Sequence, residues 1–110
     1  MAGVSLIKEK RSSYIGFIKG AIEFTDRSTL SVMEFVDVER GLDRYKYRHH
    51  YEDQNKQRVF RYDRTPHFPF ILTHPHHKHI GPETDPDLVT ESSAPPLNEV
   101  LKEIERILTP

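Results

Sequence analysis

Cysteine is absent from the chain, which rules out disulfide staples, thiolate zinc sites and cysteine nucleophiles together. No apolar run approaches the ~18 residues that a membrane-spanning helix requires. The opening MAGVSLIKEKR has neither the long apolar stretch nor the small-residue cleavage site of a secretory signal, so a cytoplasmic location is the expectation. Glycine-rich phosphate loops, G-x-S-x-G elbows and H-E-x-x-H pairs are also missing, which disfavours the common motif-based enzymes. Histidine and carboxylate chemistry remain. The 110 residues suffice for a single core, and one domain over 1–110 is expected.

The net charge of −1 hides a segregation. Residues 1–39 carry five Lys/Arg against six Asp/Glu, residues 40–80 nine against four, and residues 81–110 two against seven. The basic middle also holds all seven histidines, five of them between His67 and His79 in the runs TPHFPF and HPHHKH. Such a region suits a phosphate-bearing partner, although uneven surface charge is the plain alternative. The acidic tail is expected either to fold back over the basic middle or to share that surface with a partner.

YIGFIKGAIEF (14–24) and STLSVMEFVDVE (28–39) are rich in β-branched and aromatic residues and read as a hairpin. RYKYRHHY (44–51) alternates, placing Tyr45, Tyr47, His49 and Tyr51 on one face and Arg44, Lys46, Arg48 and His50 on the other. The polar run 52–57 then turns the chain into RVFRYD (58–63). Sheet hairpins are therefore expected over 14–63. Seven prolines from Pro66 to Pro96 make 64–96 a His/Pro-rich loop region, with room for one short strand around Phe70–Thr73. In 96–108 the residues Leu97, Val100, Leu101, Ile104, Ile107 and Leu108 form one helical stripe, with Pro96 suited to the first turn. The expected fold is α+β: an antiparallel meander of four or five strands with a C-terminal helix packed on one face.

Three chemistries compete for the histidines. Metal ligation has spacing in its favour, since His74-x-His76 and His77-x-His79 each put two rings on one side of an extended segment. The ligands in that reading are His67, His77 and His79 for zinc or nickel, with Asp63 the nearest carboxylate in sequence. Alternation splits the cluster, however, because His76 in a strand faces away from His77 and His79. Metal-independent RNA cleavage needs a base for the ribose 2′-hydroxyl, an acid for the leaving 5′-oxygen and cations for the phosphorane. Histidine, with an ordinary pKa near ~6.5, serves either proton role, and arginine binds phosphate through two hydrogen bonds. The candidates are His77 and His79 as the proton-transferring pair, His67 and His76 behind them, Arg61, Lys78 and Arg48 as phosphate holders, Tyr62 as a donor, and Asp63 to orient an imidazole. The third reading is structural: tyrosines at strand spacing pack a core, His49 is a hydrogen-bonded interior residue, and Asp63 caps a turn.

FRYDRTPHFPFILTHPHHKHI (60–80), with YKYRHHYED upstream and LNEVLKEIERIL downstream, resembles the TumE-type toxin family of prokaryotic type II toxin–antitoxin systems. The resemblance covers about residues 44–108. Arg61, Tyr62, Asp63, Pro66 and His67 fall on its R-Y-D-x-x-P-H pattern, and Pro75, His76, His77, Lys78 and His79 on its P-H-H-K-H pattern. Phe68 stands where a second histidine is expected and His74 where an aromatic is usual, so neither is given a role. The resemblance implies a small toxin neutralised by a partner, commonly a helix-turn-helix antitoxin. With the residue kit above, it leads to an expected metal-independent endoribonuclease acting on RNA without a cofactor. The alternative is a non-catalytic metal-binding or target-binding protein, and a homodimer stays open.

Overall fold

In the computed structural model, which describes residues 3–109, one antiparallel sheet takes its strands in chain order. These are β1 (Gly3–Lys10), β2 (Ile15–Glu23), β3 (Thr29–Asp37), β4 (Asp43–Glu52), β5 (Arg58–Arg64), β6 (His76–Ile80) and β7 (Val89–Glu91). The helix α1 (Leu97–Leu108) follows. Among the described residues no helix is long and apolar enough to cross a membrane. The sheet thus has seven strands where four or five were expected, and each extra strand has a physical reason for having been hidden. β1 is exposed along its whole length, so its residues carry no inside-outside alternation. β6 and β7 lie inside the proline-rich stretch because Pro75, Pro82 and Pro86 bracket them and none falls within them. The strand expected around Phe70–Thr73 is instead a series of turns.

Two turns are set by aspartates. Asp26 Oδ1 accepts the Ser28 amide at 2.9 Å between β2 and β3, and Asp53 Oδ1 accepts the Asn55 and Gln57 amides at 2.8 and 3.1 Å between β4 and β5. The residues that must adopt positive φ there are Arg27 and Lys56.

α1 lies on one face of the sheet. Val100 and Ile104 are fully buried against Leu30 and Val32 of β3, Tyr47 and Tyr51 of β4, and Phe60 and Tyr62 of β5. At about 1.5–3 kcal/mol per buried large apolar side chain, this layer is the main cohesive term. A polar network enters the same layer: His49, with no exposed surface, meets Glu34 Oε1 through Nε2 at 3.0 Å, and Arg44 reaches the same oxygen at 3.0 Å. Arg44 also donates to the carbonyls of Ala94 and Pro95, fixing where the chain enters the helix. Burial alone would raise the Glu34 carboxyl, but the bonds from His49 and Arg44 reverse this and lower it.

Arg44 had been expected on the face opposite the tyrosines. The pairing Phe35↔Lys46 is followed by Asp37↔Asp43, so β4 has one extra residue there, and the alternation slips at that bulge. Arg44 consequently stacks on the Tyr47 ring at 4.2 Å, while Tyr45 is exposed and lies beside Phe35. The acidic tail does fold back on the basic middle: Asp87 pairs with Arg58, and Glu103 with Lys78 at 2.7 Å.

Candidate functional site

The register of β4, β5 and β6 assigns every candidate residue to a face. Arg48, Asp63 and His77 lie in one row across the three strands, and His50, Arg61 and His79 in the next. Both rows are on the face away from α1. Tyr62 and Lys78 are paired across β5 and β6 on the helix side, as are Arg64 and His76. The candidates therefore do not form one site.

On the helix side the three residues are engaged in packing. Tyr62 donates to Glu103 at 2.6 Å, and burial together with that bond pushes its phenol above its ordinary pKa. Lys78 donates to the other Glu103 oxygen and lies over the Phe60 and Tyr62 rings; burial would lower its ammonium, but the Glu103 and Tyr62 contacts raise it on balance. His76 Nδ1 lies 2.8 Å from the Tyr47 hydroxyl, with the two rings stacked. Burial and then the Arg64 and Arg44 charges lower the His76 pKa. None of the three faces the pocket described next.

On the opposite side a pocket of about 260 Å³ is lined by Lys46, Arg48, Arg61, Asp63, His67, Phe68, His77 and His79, among others. Its floor is the buried trio Asp63, His77 and His79. The two imidazoles approach with their Nε2 atoms 3.1 Å apart. Asp63 meets both: Oδ1 lies against His77 Nε2, and Oδ2 is 3.6 Å from His79 Nε2. Each ring is fixed from behind. His77 Nδ1 faces the Pro75 carbonyl at 3.2 Å, and His79 Nδ1 faces Asp87 Oδ2 at 2.8 Å. Asp87 is itself gripped by the buried Arg58 guanidinium, which holds its carboxyl below the ordinary range. Burial lowers the His77 pKa despite the opposing Asp63 charge.

Around this floor the surface is cationic. Lys46 and Arg48 are exposed, and Arg61 is half-buried with its Nε donating to His50 Nδ1 at 3.0 Å. His67, also exposed, stands at the edge of the pocket. The 65–75 segment reaches over the trio through Phe68, whose ring centroid is 4.8 Å from that of His77 and 5.8 Å from that of His79. Sequence reasoning gave Phe68 no role and overlooked Asp87. Phe68 showed no alternation signal because it lies between strands, and Asp87 lay in a proline-rich stretch read as loop.

A family model described as Toxin TumE matches residues 2–108. The chain belongs to the TumE toxin family. Comparisons with curated proteins and with solved structures gave no significant match. Membership of the TumE family implies an antitoxin partner. The motif residues that the family resemblance highlighted divide between the two faces of the sheet: Arg61, Asp63, His67, His77 and His79 at the pocket, Tyr62, His76 and Lys78 on the helix side.

Proposed function

We propose that this toxin cleaves RNA at the pocket on the helix-free face of the sheet, and that a helix-turn-helix antitoxin restrains it in the cytoplasm. The observation that carries the reading is the clustering of Lys46, Arg48 and Arg61 around a floor of two imidazoles and a carboxylate, with one exposed imidazole, His67, at its edge. Such a set of cations suits a phosphodiester, and arginine forks bind phosphate through paired hydrogen bonds.

The roles differ from those assigned by spacing. His77 and His79 are buried with their Nδ1 atoms committed, so they make the electrostatic floor and a substrate oxygen does not reach them as a freely exchanging pair. His67 is the accessible imidazole and takes the proton from the ribose 2′-hydroxyl. The 2′-oxygen–phosphorus bond then forms, the phosphorus–5′-oxygen bond breaks, and the 5′-oxygen leaves with a proton from solvent. Arg48 and Arg61 stabilise the charge on the phosphorane.

Purified protein incubated with a single-stranded RNA should yield fragments ending in a 2′,3′-cyclic phosphate, and the Arg61→Ala/His67→Ala protein should yield none. Absence of cleavage by the wild-type chain, with growth inhibition retained, would overturn this reading in favour of a toxin that acts by binding its target.

A further inference from the structure

We infer that Asp63, His77 and His79 together bind one divalent transition-metal ion of the zinc class, through one carboxylate oxygen and two Nε2 atoms. The ligand chemistry follows from what stands behind each ring. A backbone carbonyl and a carboxylate only accept hydrogen bonds, so His77 donates from Nδ1 to Pro75 and His79 donates from Nδ1 to Asp87. In their neutral forms both rings then present bare lone pairs at Nε2, and those two atoms face each other across 3.1 Å. The Asp63 carboxylate adds a third electron-rich group, buried at 6% exposure, whose Oδ1 lies against His77 Nε2 without an aligned hydrogen bond from the described residues. Three converging lone pairs in a buried place repel one another unless a cation lies among them. A single proton on one ring serves one neighbour at a time, whereas a metal ion satisfies all three together.

Two of the three spacings agree. Tetrahedral coordination at about 2.0–2.2 Å places ligand atoms roughly 3.4 Å apart, and the Nε2–Nε2 and His79 Nε2–Asp63 Oδ2 separations are 3.1 and 3.6 Å; His77 Nε2 sits closer than that to Asp63 Oδ1, and this contact must lengthen for the ion to enter. Two imidazoles and one carboxylate are a donor set for a site that keeps a position open. Nδ1 anchoring of a ligating imidazole by a carboxylate or carbonyl is the usual way its orientation is fixed. This replaces the ligand set His67, His77 and His79 read from spacing: Asp63 takes the place of His67, which is exposed and stays free for proton transfer. It also replaces the expectation of a metal-independent site. Binding of the ion stands on the trio alone; its part in cleavage, as a positive centre beside the phosphate held by Arg48 and Arg61, rests on the RNA reading above.

The test is zinc binding by the full chain, measured by competition with a chromophoric chelator. One equivalent is expected, retained by His67→Ala and His74→Ala and lost in Asp63→Asn, His77→Gln and His79→Gln. Asp87→Asn should weaken binding about 10–100-fold, as loss of an anchoring partner does elsewhere. Because a variant of the buried trio can fail to fold, wild-type protein with labelled histidine supplies an independent readout. Nitrogen resonances of two imidazoles should move at Nε2 on adding zinc, with Nδ1 protonated before and after. No stoichiometric zinc binding, equal binding by folded Asp63→Asn, or shifts confined to other rings would overturn the inference. RNA cleavage that persists in chelator, without zinc binding, would sink the metal and leave the RNA reading standing; zinc binding without any RNA cleavage would do the reverse.

Discussion

Removing Arg48 and Arg61 together should flatten the salt dependence of RNA binding, while removing two cations from the helix side should not. Of the four cations that line the pocket, Lys46, Arg48 and Arg61 face a backbone lying across it, while Arg64 is turned to Asp43 and the Arg44 carbonyl. Each phosphate neutralised on a single strand contributes a slope of about −0.7 in log affinity against log salt, so three give about −2 and the single remaining lysine about −0.7. Between 50 and 200 mM salt that corresponds to a loss of roughly 20-fold for the wild type and under about threefold for the double variant. The matched control is Lys78→Ala/Arg106→Ala, which removes the same charge from the opposite face. Fluorescence anisotropy with an RNA oligonucleotide methylated at every 2′-oxygen reads affinity without turnover. If the control flattens the slope as much as the pocket variant, the attraction comes from net charge and the placement of the phosphate at this pocket is wrong.

Two further outcomes follow from the helix side. Tyr62→Phe removes one hydrogen bond to Glu103 and should cost about 1 kcal/mol in urea unfolding, with growth inhibition unchanged; lost toxicity in a stably folded variant would move the working surface to the other face. Glu34→Gln disrupts the network with His49 and Arg44, whose side chains are largely buried, and should destabilise by about 2–3 kcal/mol near neutral pH. The Glu34 carboxyl is lowered from its ordinary 4.5, so its contribution is complete above that value and fades as pH falls through the folded-state pKa. The difference between variant and wild type should therefore shrink on acidification, and a difference that grows below pH 4 would contradict the assignment.

The legible parts of this chain were those in which one face is covered and the other is not. β2 to β5 and α1 sit in or against the core, so burial imposes a period on their residues that can be read directly. β1 has no cover on either side and therefore no period, and β7 is too short to show one. The slip at Arg44 was invisible because a bulge changes which side a residue faces without changing its type. Asp63 was noticed both as a residue that orients an imidazole and as the carboxylate nearest the histidines in sequence; that it meets both His77 and His79 needed distances that no spacing rule supplies.

The HHKH run illustrates why a dense cluster of one residue type misleads when it is read as a unit. Strand geometry at β6 sends His76 and Lys78 to the helix side of the sheet and His77 and His79 to the pocket, so four adjacent residues serve two unrelated environments. The helix-side pair is held by Tyr47 and Glu103, and these contacts fix the strand's rotation about its own axis. That rotation in turn sets the angle at which His77 and His79 meet Asp63. Packing on one face and chemistry on the other are thus coupled through a single strand, and a one-residue slip of β6 against β5 would exchange them, sending His76 and Lys78 to the pocket and burying the imidazole pair under the helix.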